Sequence, residues 1–169
     1  MDLLISYSWG NYFPAYLEAV RLLKRFGDPE PVVEKTKVWG IAVAHTILNN
    51  RVVIQKCREL YPAEPEFQFT LKWVPVDFWV ETDLDAMKKV IEKEIRDRIQ
   101  ENETWAMRVE KRRWQRYHTI EIIEYLATSI ERKVALRHPD KIVRIDVLGS
   151  KTAISLLKPE EIFSITLPV

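Results

Sequence analysis

The chain has 169 residues, 47% of them hydrophobic and 30% charged. That describes a globular chain able to bury a core as one domain or two small ones. A single cysteine, Cys57, excludes an internal disulfide framework and any cysteine-pair zinc site, and no apolar run is long enough to span a membrane. Met1–Ile5 lacks the basic leader and long apolar stretch of a signal peptide, so a cytoplasmic location is the expectation. The formal net charge is only +1, but acids crowd Glu81–Glu103 while Arg and Lys dominate Arg108–Arg116, and it is the distribution that bears on nucleic acid.

In chain order, Leu3–Tyr7 reads as a short buried strand closed by Trp9-Gly10-Asn11. A helix follows, with Phe13, Tyr16, Leu17, Val20 and Leu23 at helical spacing, stopped by Gly27, Pro29 and Pro31. Val32–Val38 and Ile41–Thr46 form a predicted hairpin meeting at Trp39-Gly40. Asn49 or Asn50 caps a second helix whose apolar face is Val53, Cys57 and Leu60, and Pro62-Ala63-Glu64-Pro65 ends it. Phe67, Phe69 and Leu71 alternate with polar residues as in a half-buried strand. The order strand, helix, strand, strand, helix, strand is that of the ferredoxin-like split βαβ.

Pro75 is expected to interrupt the pattern, with Asp77–Glu81 as a linker or short irregular helix. A helix is predicted from about Leu84 to Gln100, inward at Leu84, Met87, Ile91 and Ile95, with Thr82 and Asp83 as caps. Trp105, Met107 and Val109 then alternate as a strand. Thr119 is expected to cap a helix carrying Ile120, Ile123, Ala127 and Ile130, which Pro139 ends. Val143, Ile145 and Val147 lead through Gly149-Ser150 into Thr152–Leu157 as a hairpin, and Lys158–Glu161 reads as a short helical turn. The expected fold class is α+β, with domains at residues 1–74 and 75–169.

The segment Arg108–Thr119 leaves a strand, passes through a cluster of cations and enters a helix. Guanidinium groups there can grip phosphate oxygens bidentately, and the free N–H groups of the helix start also favour anions. Trp114 and Tyr117 could stack on an exposed base. A solvated basic loop with Trp114 tucked into the core fits the same residues. Lys141, Arg144, Lys151 and Lys158, on or beside the last hairpin, could extend the basic face. Catalytic groups are harder to find: His45, His118 and His138 are scattered, Cys57 lies on an apolar helix face, and four glycines supply no phosphate loop. No catalytic residue, metal site or cofactor is expected.

From about Lys72 onward the chain resembles the THUMP domain. The matching pieces are Lys72-Trp73-Val74-Pro75-Val76, Trp105–Arg112, Thr119–Ile123, His138-Pro139-Asp140 and Ile142–Val147. The resemblance implies an N-terminal ferredoxin-like domain followed by a THUMP-like α/β domain. It further implies a stand-alone, non-catalytic, tRNA-binding adaptor that presents tRNA to an RNA cytidine acetyltransferase for 4-acetylcytidine formation. The RNA-binding residues it points to are Arg108, Lys111, Arg112, Arg113, Arg116, His118, Lys151 and Lys158. The rival expectation is a protein–protein interaction or regulatory module without RNA affinity.

Overall fold

Two five-stranded sheets, each with its own helices and hydrophobic core, form in the computed structural model, which describes residues 1–63 and 65–165. The first elements are β1 (Asp2–Tyr7), α1 (Tyr12–Phe26), β2 (Val32–Lys35), β3 (Ile41–His45), α2 (Asn50–Leu60) and β4 (Thr70–Val76). Next come β5 (Phe78–Glu81), α3 (Leu84–Val90), β6 (Thr104–Arg112), α4 (Thr119–Ala127), β7 (Lys133–Val134), β8 (Lys141–Leu148), β9 (Lys151–Leu157) and β10 (Phe163–Ser164). The chain divides into a first unit, Met1–Val76 with Glu160–Val169, and a second, Asp77–Pro159. Among the described residues no helix is long and apolar enough to cross a membrane.

In the first unit the strands run in the order β10-β4-β1-β3-β2, with all neighbours antiparallel. Leu3, Ile5 and Tyr7 of β1 share one face with Ala42, Ala44 and Trp73, and α1 and α2 cover that face with Leu22, Leu23, Val53, Ile54 and Cys57. Asn49 caps α2, accepting from the N–H groups of Arg51 and Val52. Helix α1 departs from the expected face. Leu23 is buried and Tyr16 and Val20 are half-buried, but Phe13 and Leu17 are exposed.

The inward face is that of Ala15, Ala19, Leu22, Leu23 and Phe26, and it includes Glu18. The Glu18 carboxylate is buried and accepts the N–H groups of Gln68 (2.7 Å), Phe69 (3.0 Å) and Thr70 (2.7 Å) and the Thr70 hydroxyl (2.6 Å). The same bonds hold residues 68 and 69 at a carboxylate rather than in a sheet, so the strand expected from Phe67 begins only at Thr70. Pro75 does not interrupt it. It sits inside β4 opposite Leu3, and β10 reaches β4 at Lys72 and Trp73 instead, an edge setting that a proline tolerates.

The second sheet has the order β5-β9-β8-β6-β7, with β6 parallel to both β7 and β8 and the other pairs antiparallel. Residues 77–81, expected as a linker or irregular helix, instead supply β5. Phe78 and Val80 pack on the core while Trp79 and Glu81 are exposed, the period of an edge strand. Asp83 caps α3 through the Ala86 N–H, 2.9 Å away. The helical path continues through a wide π turn, Ile91–Ile95, and a 3-10 turn, Arg96–Arg98, which keeps Met87, Ile91, Ile95 and Ile99 all in the core. On α4 the inward residues are Ile122 and Leu126, and Ile120 is exposed.

The expected boundary at residues 74 and 75 therefore moves, and the tail changes sides. From Glu160 the chain belongs to the first unit, because Phe163 buries its ring 4.7 Å from Phe67 while β10 pairs with β4.

Replacing Glu18 by alanine strands three backbone donors and a hydroxyl in a buried place. Glu18→Ala should cost about 3 kcal/mol, read as a lowered urea midpoint for the first unit. An unchanged midpoint would show that the carboxylate does not organise the start of β4.

Candidate nucleic-acid interface

Strand β6 carries the basic segment because its side chains alternate between two faces. Trp105, Met107 and Val109 enter the second core, which sends Arg108 and Arg112 to the opposite face. The parallel register sets Arg108 beside Arg144 and Arg112 beside Leu148. On that face Arg144 and Asp146 are buried and paired, Nε to Oδ2 at 2.9 Å and Nη2 to Oδ1 at 3.2 Å. Arg112 joins them through Nη1, 3.0 Å from Asp146 Oδ1. Arg144, which could have extended a basic face, is thus 7% exposed and committed to Asp146.

Arg113 ends the strand. Its φ of +58° is left-handed, a conformation that stops the sheet period and leaves the side chain exposed. The carbonyl of Arg112 accepts the Gly149 N–H at 3.0 Å, fastening this end of β6 to the turn between β8 and β9. Gly149, with φ +68°, supplies the positive angle that the turn needs.

The loop into α4 is also held down. Lys111 Nζ donates to the Tyr117 carbonyl at 2.6 Å. Arg116 Nε donates to the Tyr117 hydroxyl at 3.1 Å, and its guanidinium lies over that ring, 5.5 Å from the centroid. Trp114 and Tyr117 meet edge to face at 5.5 Å and pack, half-buried, against the second core. The two rings anchor the loop. They are not laid out as a free stacking surface for a base. His118, rather than Thr119, holds the capping position of α4, and its N–H donates to the Glu121 carboxylate at 2.9 Å.

The structure thus brings together part of the expected set. Lys111, Arg112, Arg113, Arg116 and His118 gather at the end of β6. Lys151 joins them, because it pairs with Leu148, itself opposite Arg112; it also makes an exposed ion pair with Glu81. Arg108 lies farther back and donates to the Leu136 carbonyl at 3.1 Å. Lys158 follows the far end of β9, and Lys141 lies at that far end too, bonded to Glu103 at 2.9 Å. Arg113 and Arg116 are the guanidinium groups of this end that stand exposed.

Cys57 and His45 are engaged by the fold. Burial pushes the Cys57 thiol far above its usual range, which removes the nucleophilic thiolate. His45 Nδ1 lies 2.8 Å from Asp2 Oδ1. Among the described residues no three His, Cys, Asp or Glu side chains are placed to hold a metal ion.

The Arg112–Asp146–Arg144 group has a consequence for stability. Removing Asp146 leaves Arg144 buried without its partner, so Asp146→Ala should cost about 3 kcal/mol. Arg112→Ala should cost clearly less, since Arg144 still pairs with Asp146. Urea unfolding of both variants checks the order, and equal midpoints would contradict it.

Residues 81–157 match the family model of the THUMP domain. An uncharacterised protein of Methanocaldococcus jannaschii is 35% identical over an alignment of 101 positions that covers 57% of this chain and 27% of that protein. Among solved structures, TrmN from Thermus thermophilus superposes with a TM-score of 0.64 at 11% identity, over 95% of this chain and 47% of its own. A 4-thiouridine synthetase, crystallised in complex with RNA and with bound ATP, gives 0.59 at 18% identity, over 96% and 41%. The chain spans about a quarter of the curated relative and less than half of these two solved structures. At such identities the structural likeness concerns the fold, whereas the family match concerns the sequence itself and lies within the second unit.

Proposed function

We propose that this protein binds folded RNA of the tRNA class at the end of β6, and presents it to a modification enzyme without performing the chemistry itself. The observation that carries the reading is the exposed pair Arg113 and Arg116, held beside the start of α4 inside the segment that matches the THUMP-domain model. Their guanidinium groups suit phosphate oxygens, and the left-handed Arg113 and the Tyr117 contact fix where each side chain starts. The 4-thiouridine synthetase of like fold was crystallised with RNA, which supports the same class of ligand here. Contacts of this kind position an RNA by its shape and backbone and do not read its sequence.

The finer reading is an adaptor for an RNA cytidine acetyltransferase that forms 4-acetylcytidine. A role without chemistry is supported by the placement of Cys57 in the first core, of His45 against Asp2 and of His118 at a helix start. The first unit is read as a ferredoxin-like module, supported by its β1-α1-β2-β3-α2-β4 order and antiparallel β4-β1-β3-β2 arrangement; its role would be to orient the RNA.

Filter binding of tRNA over a range of salt tests the RNA site. The paired substitution Arg113→Gln and Arg116→Gln should weaken binding to all tRNAs alike and lower the salt slope by about 1 for each phosphate that is no longer neutralised. Stability should stay within about 0.5 kcal/mol of the parent, as for other surface changes. An unchanged slope in a folded variant would place the phosphate-binding groups elsewhere. Modified nucleotides made by the purified chain alone would refute the adaptor role.

A further inference from the structure

The first unit exposes an aromatic surface that its fold does not use. Trp9 is 73% exposed and Trp39 72% exposed, and their rings stack on each other at 5.1 Å with 27° between planes. Phe13, 65% exposed, stands beside them at the start of α1. Large apolar side chains gathered in the open mark a binding surface more often than an accident of folding. With Tyr7, Tyr12 and Lys35 these three rings line a cleft of about 360 Å³.

The backbone beneath the two indoles is built to hold them. Trp9 sits in the tight turn after β1, closed by the Asn11 N–H donating to the Ser8 carbonyl at 3.0 Å. Trp39 sits in the turn between β2 and β3. The Tyr7 N–H donates to the Gly40 carbonyl at 2.9 Å and ties the two turns together. In the second turn the Thr36 hydroxyl lies 2.8 Å from the Ile41 carbonyl and accepts the Val38 N–H at 3.1 Å. Gly40, with φ +89°, has space for a Cβ only at 3.4 Å from the Tyr7 carbonyl, so the two turns approach closely.

The chemistry of the cleft selects its occupant. Its lining is aromatic and cationic, with no aliphatic side chain and no carboxylate. Lys35 Nζ lies 4.8 Å above the Tyr12 ring, and the exposed Lys37 lies on the turn that carries Trp39. Glu34 pairs in register with Val43, on the opposite face of the sheet from Lys35, which pairs with Ala42, and lies 3.6 Å from His45, although its charge is still felt at Tyr12. Flat faces beside ammonium groups suit stacked bases joined by phosphates, whereas a protein partner's aliphatic side chains would find no aliphatic packing here.

We propose that Trp9 and Trp39 form a stacking platform for unpaired nucleotides of the RNA, a second contact separate from the arginine site. This rests on the RNA-binding reading given above. The base lies against an indole face and Lys35 and Lys37 neutralise the adjoining phosphates. The platform tolerates any base, because every base offers a flat face.

The test uses the full chain with a short oligouridylate and a blunt RNA hairpin closed by a non-nucleotide linker as probes. The parent should bind the strand and show quenched tryptophan emission. The pair Trp9→Ala and Trp39→Ala should lose about ten-fold or more in affinity for the strand and keep its affinity for the hairpin, with an unchanged salt slope. The pair Trp9→Phe and Trp39→Phe should bind the strand nearly as the parent does but show weaker quenching, which checks contact even where the alanine pair folds poorly. Equal quenching in parent and phenylalanine pair, strand affinity retained in a folded alanine pair, or a parent that binds the hairpin and ignores the strand would each overturn the platform. The last of these leaves the arginine site intact, whereas a parent that binds neither probe overturns both readings.

Discussion

Strands β6 and β8 run in parallel from Trp105 opposite Lys141 to Arg112 opposite Leu148, and the second unit is arranged around that pairing. Parallel neighbours need a crossover between them, and the crossover here contains the basic loop and α4. The alternation of β6 then sorts its residues, apolar side chains to the core and guanidinium groups to the other face. Since β9 returns antiparallel to β8, its first residue, Lys151, arrives at the same end. One pairing thereby sets the strand end, the loop, the helix start and the hairpin turn side by side.

That arrangement separates two uses of arginine. Arg144 and Arg112 are held on Asp146, where a buried carboxylate compensates the cost of taking charge out of water. Arg113 and Arg116 stand beyond the last rung, exposed. Long basic side chains close together in the sequence thus divide between the fold and the surface according to strand period and the left-handed residue that ends it. The Lys111 and Tyr117 contacts hold the loop so that its outer cations emerge from a fixed backbone, which lowers the ordering cost of a bound partner.

Much of the fold was legible because apolar periodicity reports burial directly: the order of the main strands, the Gly149-Ser150 hairpin and a cap at Asn49 or Asn50 are visible in the residues. The misreadings share a physical cause, which is long-range partners. Glu18 looks like a surface acid until Gln68, Phe69 and Thr70 reach it across 50 residues or more. Residues 77–81 look like a linker until β9 pairs with them, and Phe163 joins the first core from the far end of the chain. In the site, sequence showed the cations but not the carboxylate that engages Arg112, since Asp146 lies 34 positions away. The Trp9 and Trp39 turns were visible only as punctuation; their rings stack where the Tyr7–Gly40 hydrogen bond ties the two turns together.

The central claim is that RNA meets the chain where β6 ends and α4 begins. Ultraviolet crosslinking of tRNA to the full-length protein, followed by identification of the crosslinked peptides, tests it most directly. Crosslinks should fall within the peptide from Lys111 to His118. Crosslinked tRNA whose attachment points all fall outside that peptide would contradict the claim.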